Sequence, residues 1–208
     1  MKKIFFLFFL ITLSICKILI AKEISNKPIV LIDNYIITEL DLKKEIEFIK
    51  FITKSVNSLS SEKDKTSSVN SLLERKIKDI ETGNLKIEVS EKEIDIGIYG
   101  YLKNQKITEE NLNIFYQTNE IEKNYLRNII HIDLKWEKLI RQTYSNRINI
   151  NLTEIEKDLE KDPTNINKEE LKEKLINIEQ NKILNKFANV YLEKSKKKYL
   201  IKILWKKI

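Results

Sequence analysis

Two short runs of apolar, β-prone residues, 29–32 and 35–37, flank the pair Asp33-Asn34. Asp and Asn side chains bond their own backbone and tolerate left-handed dihedral angles, so this pair is typical of a tight turn. The pattern predicts a β-hairpin over residues 29–37. Because an isolated two-stranded hairpin is only marginally stable, it needs a third strand or another packing surface.

After the hairpin, apolar residues recur every three or four positions, which is typical of amphipathic helices. Thr38 is the predicted N-cap of the first helix, and the serine-rich stretch 57–68 predicts an exposed loop. Gly83 is expected to end the second helix in a left-handed conformation. The second helix is predicted over about 68–82. Two more begin at the capping residues Ser90 and Thr108, and three others are predicted over about 120–144, 153–160 and 167–196.

A final β-prone run, 199–204, is the natural third strand for the hairpin. Its pairing would join the two ends of the chain in one domain. The sequence therefore predicts a mainly α fold, with a small β element formed by the N-terminal hairpin and the C-terminal strand.

The first residues have the pattern of an export signal. Lys2 and Lys3 precede an apolar stretch over 4–15, which is shorter than the roughly 20 residues needed to span a bilayer. Three fates stay open for it: cleavage after Ala21, lipid attachment at Cys16, or retention as an anchor. In each case we expect a periplasmic location for residues 22–208.

The chain carries a net charge of +7, and residues 1–21 contain three lysines and no acid, so the remainder carries +4. Acidic and basic residues interleave along most of the sequence, as on solvated helix faces. The one basic cluster runs over 194–198 and continues in Lys202, Lys206 and Lys207. Because an exported protein rarely meets nucleic acid, the cluster predicts a charged tail or a contact with an anionic membrane surface.

The residues needed for catalysis or metal binding do not form a recognisable set. Cys16 is the only cysteine and His131 the only histidine, which argues against a zinc site and thiol chemistry. His131 lies among apolar helical residues, where a partly buried structural role is expected. Gly97 and Gly100 are isolated within a helix and form no phosphate-binding loop. We expect no enzyme activity, cofactor or small-molecule substrate, and a hydrolase has only the abundant carboxylates in its favour.

Aromatic residues are the remaining candidates for a binding surface. At helical spacing they are more often core, but adjacent or alternate aromatics cannot all face one side of a helix. Some are therefore expected at the surface, where the amphipathic rings of Tyr and Trp suit binding. The candidate peptide-binding residues are Tyr99, Tyr101, Phe115, Tyr116, Tyr125 and Trp136.

Five stretches follow one another in a familiar order. IVLIDNYIITELDL suggests a strand pair and a capped helix, and LLERKIKDIETGNLKIEVSEKEID a helix, a short linker and a second capped helix. NEIEKNYLRNIIHIDLKWEKLI suggests a long core helix, RININ and TEIEKDL an exit segment, and LNKFANVYLEKSKKKYLIKIL a closing helix and strand. This order resembles the SurA family of periplasmic chaperones.

The resemblance implies one chaperone core over residues 22–208, built from 29–150 and 166–204. It also implies ATP-independent holding of unfolded outer-membrane or secreted proteins, whose extended segments would bind in a groove between helices. SurA-type proteins carry parvulin-type prolyl isomerase domains between those two parts, whereas only about 151–166 fill the gap here. Since so few residues form no folded domain, we expect no isomerase activity. The alternative is an envelope-anchored adaptor that uses the fold to bind one fixed protein partner.

Overall fold

The computed structural model describes residues 26–54, 62–161 and 168–204. The predicted signal segment, with Cys16 and Ala21, lies outside the described residues, and so do residues 57–61 of the predicted loop. Within the described residues the fold is mainly α, with seven α-helices and one small three-stranded antiparallel sheet, as predicted.

The elements follow one another along the chain with short connections. The strands are β1 (Pro28–Ile32), β2 (Tyr35–Thr38) and β3 (Ile201–Ile203). The helices are α1 (Glu39–Thr53), α2 (Glu62–Asn84), α3 (Glu91–Gln105), α4 (Glu109–Asn119), α5 (Tyr125–Tyr144), α6 (Leu152–Lys161) and α7 (Lys168–Lys196), and a 3₁₀ turn, Ser145–Arg147, follows α5.

The sheet joins the two ends of the described chain. Its strand order is β2-β1-β3, and β1 is antiparallel to both neighbours. Val30 in the central strand lies opposite Ile37 of β2 and Ile203 of β3. The prediction that the C-terminal run supplies the third strand is confirmed, and the hairpin gains the support that it needs.

A buried carboxylate on α2 fixes the turn between α7 and β3. Glu81 is 5% exposed and accepts hydrogen bonds from the hydroxyl of Tyr199 at 2.6 Å and from Nζ of Lys198 at 2.7 Å. The hydroxyl of Tyr191 adds a third bond at 3.3 Å. Burial alone would raise the pKa of Glu81, but the bonds from Lys198 and Tyr199 outweigh burial and lower it.

The predicted helix starts at Thr38, Ser90 and Thr108 are confirmed. Each hydroxyl accepts a hydrogen bond from the backbone N–H three residues later, and Thr38 and Ser90 form complete capping boxes with Asp41 and Glu93.

Three predicted boundaries are wrong. Helix α2 begins at Glu62, so residues 62–68 are helical rather than loop, and Ser68 is fully buried with its hydroxyl bonded to the carbonyl of Asp64. The same helix continues past Gly83, and the left-handed residue is Lys86, with φ 51°. Tyr125 begins α5, five residues later than predicted, because a turn separates α4 from α5.

Two hydrophobic cores organise the helices. The first lies under the sheet, between α1, α2, α5 and α7, and the second lies between the end of α1, α3, α4 and the first half of α5. The first core contains Ile29, Val30, Ile32, Ile37, Leu42, Val69, Leu73, Ile77, Ile80, Trp136, Leu139, Ile140, Leu184 and Leu192. The second contains Phe48, Ile94, Leu102, Ile107, Leu112, Phe115, Tyr116, Ile121, Leu126, Ile129 and Ile130.

Candidate binding cleft

A cleft of about 360 Å³ lies between β2, the middle of α2 and the first half of α5. We call it the β2 cleft. Its volume is at the lower end of the range of about 300–1,000 Å³ that is usual for ligand sites. Ile36 at its rim is 56% exposed. Its apolar and aromatic lining consists of Ile36, Ile37, Leu72, Tyr125, Ile129 and Ile132.

The edge of the sheet at this cleft is open. The N–H of Asp33 donates to the carbonyl of Leu200, so the alternation of an antiparallel ladder also directs the backbone groups of Leu31 toward β3. Leu31 lies opposite Ile36 of β2, so the backbone groups of these two residues do not bond to each other. The N–H and C=O of Ile36 therefore point away from β1, and neither has a partner in the described part of the chain.

The charged groups at the rim of the cleft are already paired. The carboxylate of Asp41 accepts hydrogen bonds of 2.8 Å from both the N–H and the hydroxyl of Thr38. Nζ of Lys76 lies 4.5 Å from the centre of the Tyr35 ring and 3.5 Å from a carboxylate oxygen of Asp79. These groups offer little charge to a ligand, so the apolar wall and the strand edge dominate the chemistry of the cleft.

A buried polar network forms the floor of the cleft. Arg75 donates to both carboxylate oxygens of Glu45, at 2.8 and 2.9 Å, and Glu45 is only 1% exposed. The hydroxyls of Tyr125 and Ser71 donate to the same carboxylate at 2.7 and 2.9 Å. Burial would raise the pKa of Glu45, but its bonds to Arg75 and the two hydroxyls lower it, so the carboxylate stays ionised. The network ties α1, α2 and α5 together.

Three of the predicted peptide-binding aromatics lie in the cores. Phe115 and Tyr116 are 6% and 3% exposed, and the hydroxyl of Tyr116 accepts the N–H of Leu126 at 3.2 Å. Trp136 is 6% exposed and packs edge-on against Tyr191 in the first core. As folded, these three rings present almost no surface to a peptide.

The other three candidates lie in different places. Tyr99 is 67% exposed on α3, next to Ile96 at 61%. Tyr101 packs partly buried against the second core, and Tyr125 lines the β2 cleft. The structure therefore brings one of the six residues to the cleft and leaves one, Tyr99, fully at the surface.

Sequence reasoning missed the apolar residues that make the cleft, because it considered aromatic rings alone. The sequence pattern places Ile36 in a strand, but it does not indicate which edge of that strand stays open. One residue in the sequence does point to this region. Glu45 is a carboxylate on the apolar stripe of α1, between Leu42 and Ile49, and its position there indicates a buried polar partner nearby.

The described residues also form three other clefts, of about 370, 470 and 560 Å³, whose linings are more polar than that of the β2 cleft. The described residues contain no group of three or more His, Cys, Asp or Glu side chains placed to hold a metal ion. His131 is partly buried on α5. Among the helices of the described residues, none is both long and apolar enough to cross a membrane.

No protein-family model matches the chain, and no curated protein is significantly similar to it.

Proposed function

We propose that the chain is an ATP-independent chaperone of the bacterial envelope. It holds unfolded outer-membrane or other envelope proteins in the periplasm during their folding and assembly, without prolyl isomerase activity. The resemblance of its element order to SurA-type chaperones supports this function. The single observation that carries the proposal is the β2 cleft, where an apolar hollow lies directly beside an open strand edge.

The two parts of the site match the two properties shared by unfolded outer-membrane proteins. Such chains are extended, so their backbone can pair with the free N–H and C=O of Ile36, as in strand addition. Their apolar side chains alternate with polar ones, so a side chain next to the paired residue can enter the cleft. Since backbone pairing is independent of sequence, one site can accept many clients.

The small size of the site suits release. One edge residue provides about two hydrogen bonds, each contributing roughly 0.5–1.5 kcal/mol net, and the cleft accommodates only one or two side chains. Contacts on this scale give weak and reversible binding. A client that must pass on to the outer membrane needs such binding, and no chemical step has to drive its release.

The proposal is tested by diluting a urea-unfolded outer-membrane β-barrel into buffer and following its aggregation by light scattering. The added protein is the chain that begins at Lys22, since both cores and the sheet lie within residues 26–204. We expect suppression at a near-stoichiometric ratio. Ile36→Gln should raise the amount needed for half-suppression at least about fivefold, because about 1 kcal/mol of apolar contact is lost.

The matched control is Ile114→Gln on α4. Ile114 is 53% exposed, close to the 56% of Ile36, and lies outside the cleft. The control should suppress aggregation as well as the unmodified chain does. If a folded, monodisperse sample of the unmodified chain gives no suppression, the chaperone proposal fails and the envelope adaptor becomes the better account.

A further inference from the structure

The outer face of the sheet at β3 combines apolar and basic side chains. Lys202 lies opposite Leu31, and Leu31 faces away from the first core. Because side chains alternate along a strand, the residues two positions before and after Lys202 share this outer face; they are Leu200 and Leu204. Leu200 is 63% exposed and Leu204 is 46% exposed. We call Leu200, Lys202 and Leu204 the β3 face.

The charge of the segment 194–204, which ends α7 and forms β3, is strongly one-sided. Lys194, Lys197 and Lys202 have no ion-pair partner in the described part of the chain, whereas Lys196 and Lys198 pair with Glu74 and Glu81. The sequence contains no acidic residue after position 193. The nearest acid in the sheet is Asp33, whose carboxylate already accepts the N–H of Leu200 at 2.8 Å.

We infer that the β3 face, together with Lys194 and Lys197, binds the surface of an anionic phospholipid bilayer. Exposed leucines beside unpaired lysines are the combination that inserts apolar groups at the headgroup boundary while the cations pair with anionic lipids. Nucleic acid would use the lysines, but it would leave Leu200 and Leu204 without a role. Ile36 lies opposite Leu31 and therefore shares this outer face, but β3 and the open edge of β2 are at opposite sides of the sheet. A membrane contact centred on β3 would leave that strand edge open.

The test is co-sedimentation of the chain from Lys22 with vesicles of phosphatidylcholine containing about one third phosphatidylglycerol. Starting at Lys22 removes the apolar segment 4–15, which would itself enter a bilayer. We expect binding to these vesicles, little binding to pure phosphatidylcholine, and weakening as salt rises from about 0.1 M to about 1 M. Lys197→Glu/Lys202→Glu should weaken binding at least tenfold, by roughly the attraction that each lysine contributes near an anionic surface.

Two further variants separate the contributions. Leu200→Ser/Leu204→Ser changes exposed side chains, so it should leave the fold intact and still weaken vesicle binding several-fold. Lys43→Glu/Lys123→Glu makes the same change of charge on α1 and in the turn before α5, and it should bind nearly as well as the unmodified chain.

Equal losses in both charge-reversal pairs would overturn the inference, because they would report net charge rather than this face. Unchanged binding by the leucine variant would also overturn it. A third contrary result has two parts: the chain fails to bind vesicles, and it binds a short DNA duplex as tightly with Leu200→Ser/Leu204→Ser as without. This would identify the lysines as a nucleic-acid site.

Discussion

Nη1 and Nη2 of Arg75 donate to the two carboxylate oxygens of Glu45, at 2.8 and 2.9 Å, with the carboxylate almost completely shielded from water. A two-point contact of this kind fixes the orientation of both side chains as well as their separation. Because Arg75 also lines the β2 cleft, the pair holds the α2 wall of the cleft against α1.

Removing one member of this pair should destabilise the fold more than removing both. Arg75→Met leaves the buried Glu45 carboxylate without its cation, and we expect a loss of about 3–5 kcal/mol in the free energy of unfolding. Glu45→Met/Arg75→Met should lose less than the single variant, since no buried charge remains. Urea unfolding followed by circular dichroism measures both. A double variant less stable than Arg75→Met would contradict this account of the floor.

Stability should fall in acid partly through Glu45. Its pKa in the folded protein is below the ordinary value of 4.5, so the unfolded chain takes up the proton first as the pH falls. The stabilisation is therefore fully present above pH 4.5 and is lost as the pH falls further. The difference in unfolding free energy between the unmodified chain and Glu45→Gln should shrink between about pH 6 and about pH 3. A difference that stays constant over this range would be the contrary result.

Helix α3 lies in close contact with α5 at Gly97. A Cβ at this position would lie 2.7 Å from Cγ2 of Ile130 and 3.3 Å from Cδ1 of Leu134, whereas a Cβ at Gly100 meets nothing within 4 Å. Since Ile130 is β-branched and stiff, the overlap is relieved only by moving a helix. Both Gly→Ala changes favour the helix equally, so their difference isolates the packing cost.

We expect Gly97→Ala to be less stable than Gly100→Ala by about 1–3 kcal/mol, with Gly100→Ala itself slightly more stable than the unmodified chain. Thermal or urea unfolding of the two variants side by side gives this difference. Equal stabilities would mean that α3 and α5 are farther apart than described.

The chain should not catalyse prolyl isomerisation. Under the proposed resemblance to SurA-type proteins, only about 151–166 stand where that family carries its parvulin-type domains. Residues 152–161 of this stretch form α6, which packs along α7. In a protease-coupled assay with a proline-containing peptide, we expect the uncatalysed rate at every concentration of the chain. A parvulin serves as the positive control. An isomerisation rate that rises in proportion to the concentration of the chain, as it does for the parvulin, would show this prediction to be wrong.

Local sequence signals predicted much of the fold. The turn pair Asp33-Asn34 and the hydroxyl caps at Thr38, Ser90 and Thr108 act within a few residues, so each could be identified from its neighbours. That the C-terminal run joins the hairpin followed from the need of the hairpin for a third strand, but the sequence did not indicate which strand it would pair with. The start of α2 was missed because its polar first turns resemble a loop, and the burial of Ser68 depends on packing.

The candidate site could be predicted far less well, because it depends on tertiary contacts. The strand edge at Ile36 is open because β3 pairs with β1 rather than with β2, and no local sequence pattern indicates which of the two strands β3 pairs with. The burial of Phe115 and Trp136 likewise follows from the crossing of helices distant in sequence. Aromatic content alone therefore indicated mainly residues that stabilise the fold.

Amide hydrogen exchange at Ile36 tests the central claim most directly. The probe is a peptide with the sequence of one strand of an outer-membrane β-barrel, added in excess to the isotope-labelled chain and followed by NMR. In the free protein the Ile36 amide has no partner among the described residues and should exchange rapidly. With the peptide bound, its exchange should slow at least about tenfold, with the amide of Ile114 unchanged. Peptide binding that leaves Ile36 unprotected, with protection appearing instead around Tyr99 on α3, would contradict the assignment of the β2 cleft.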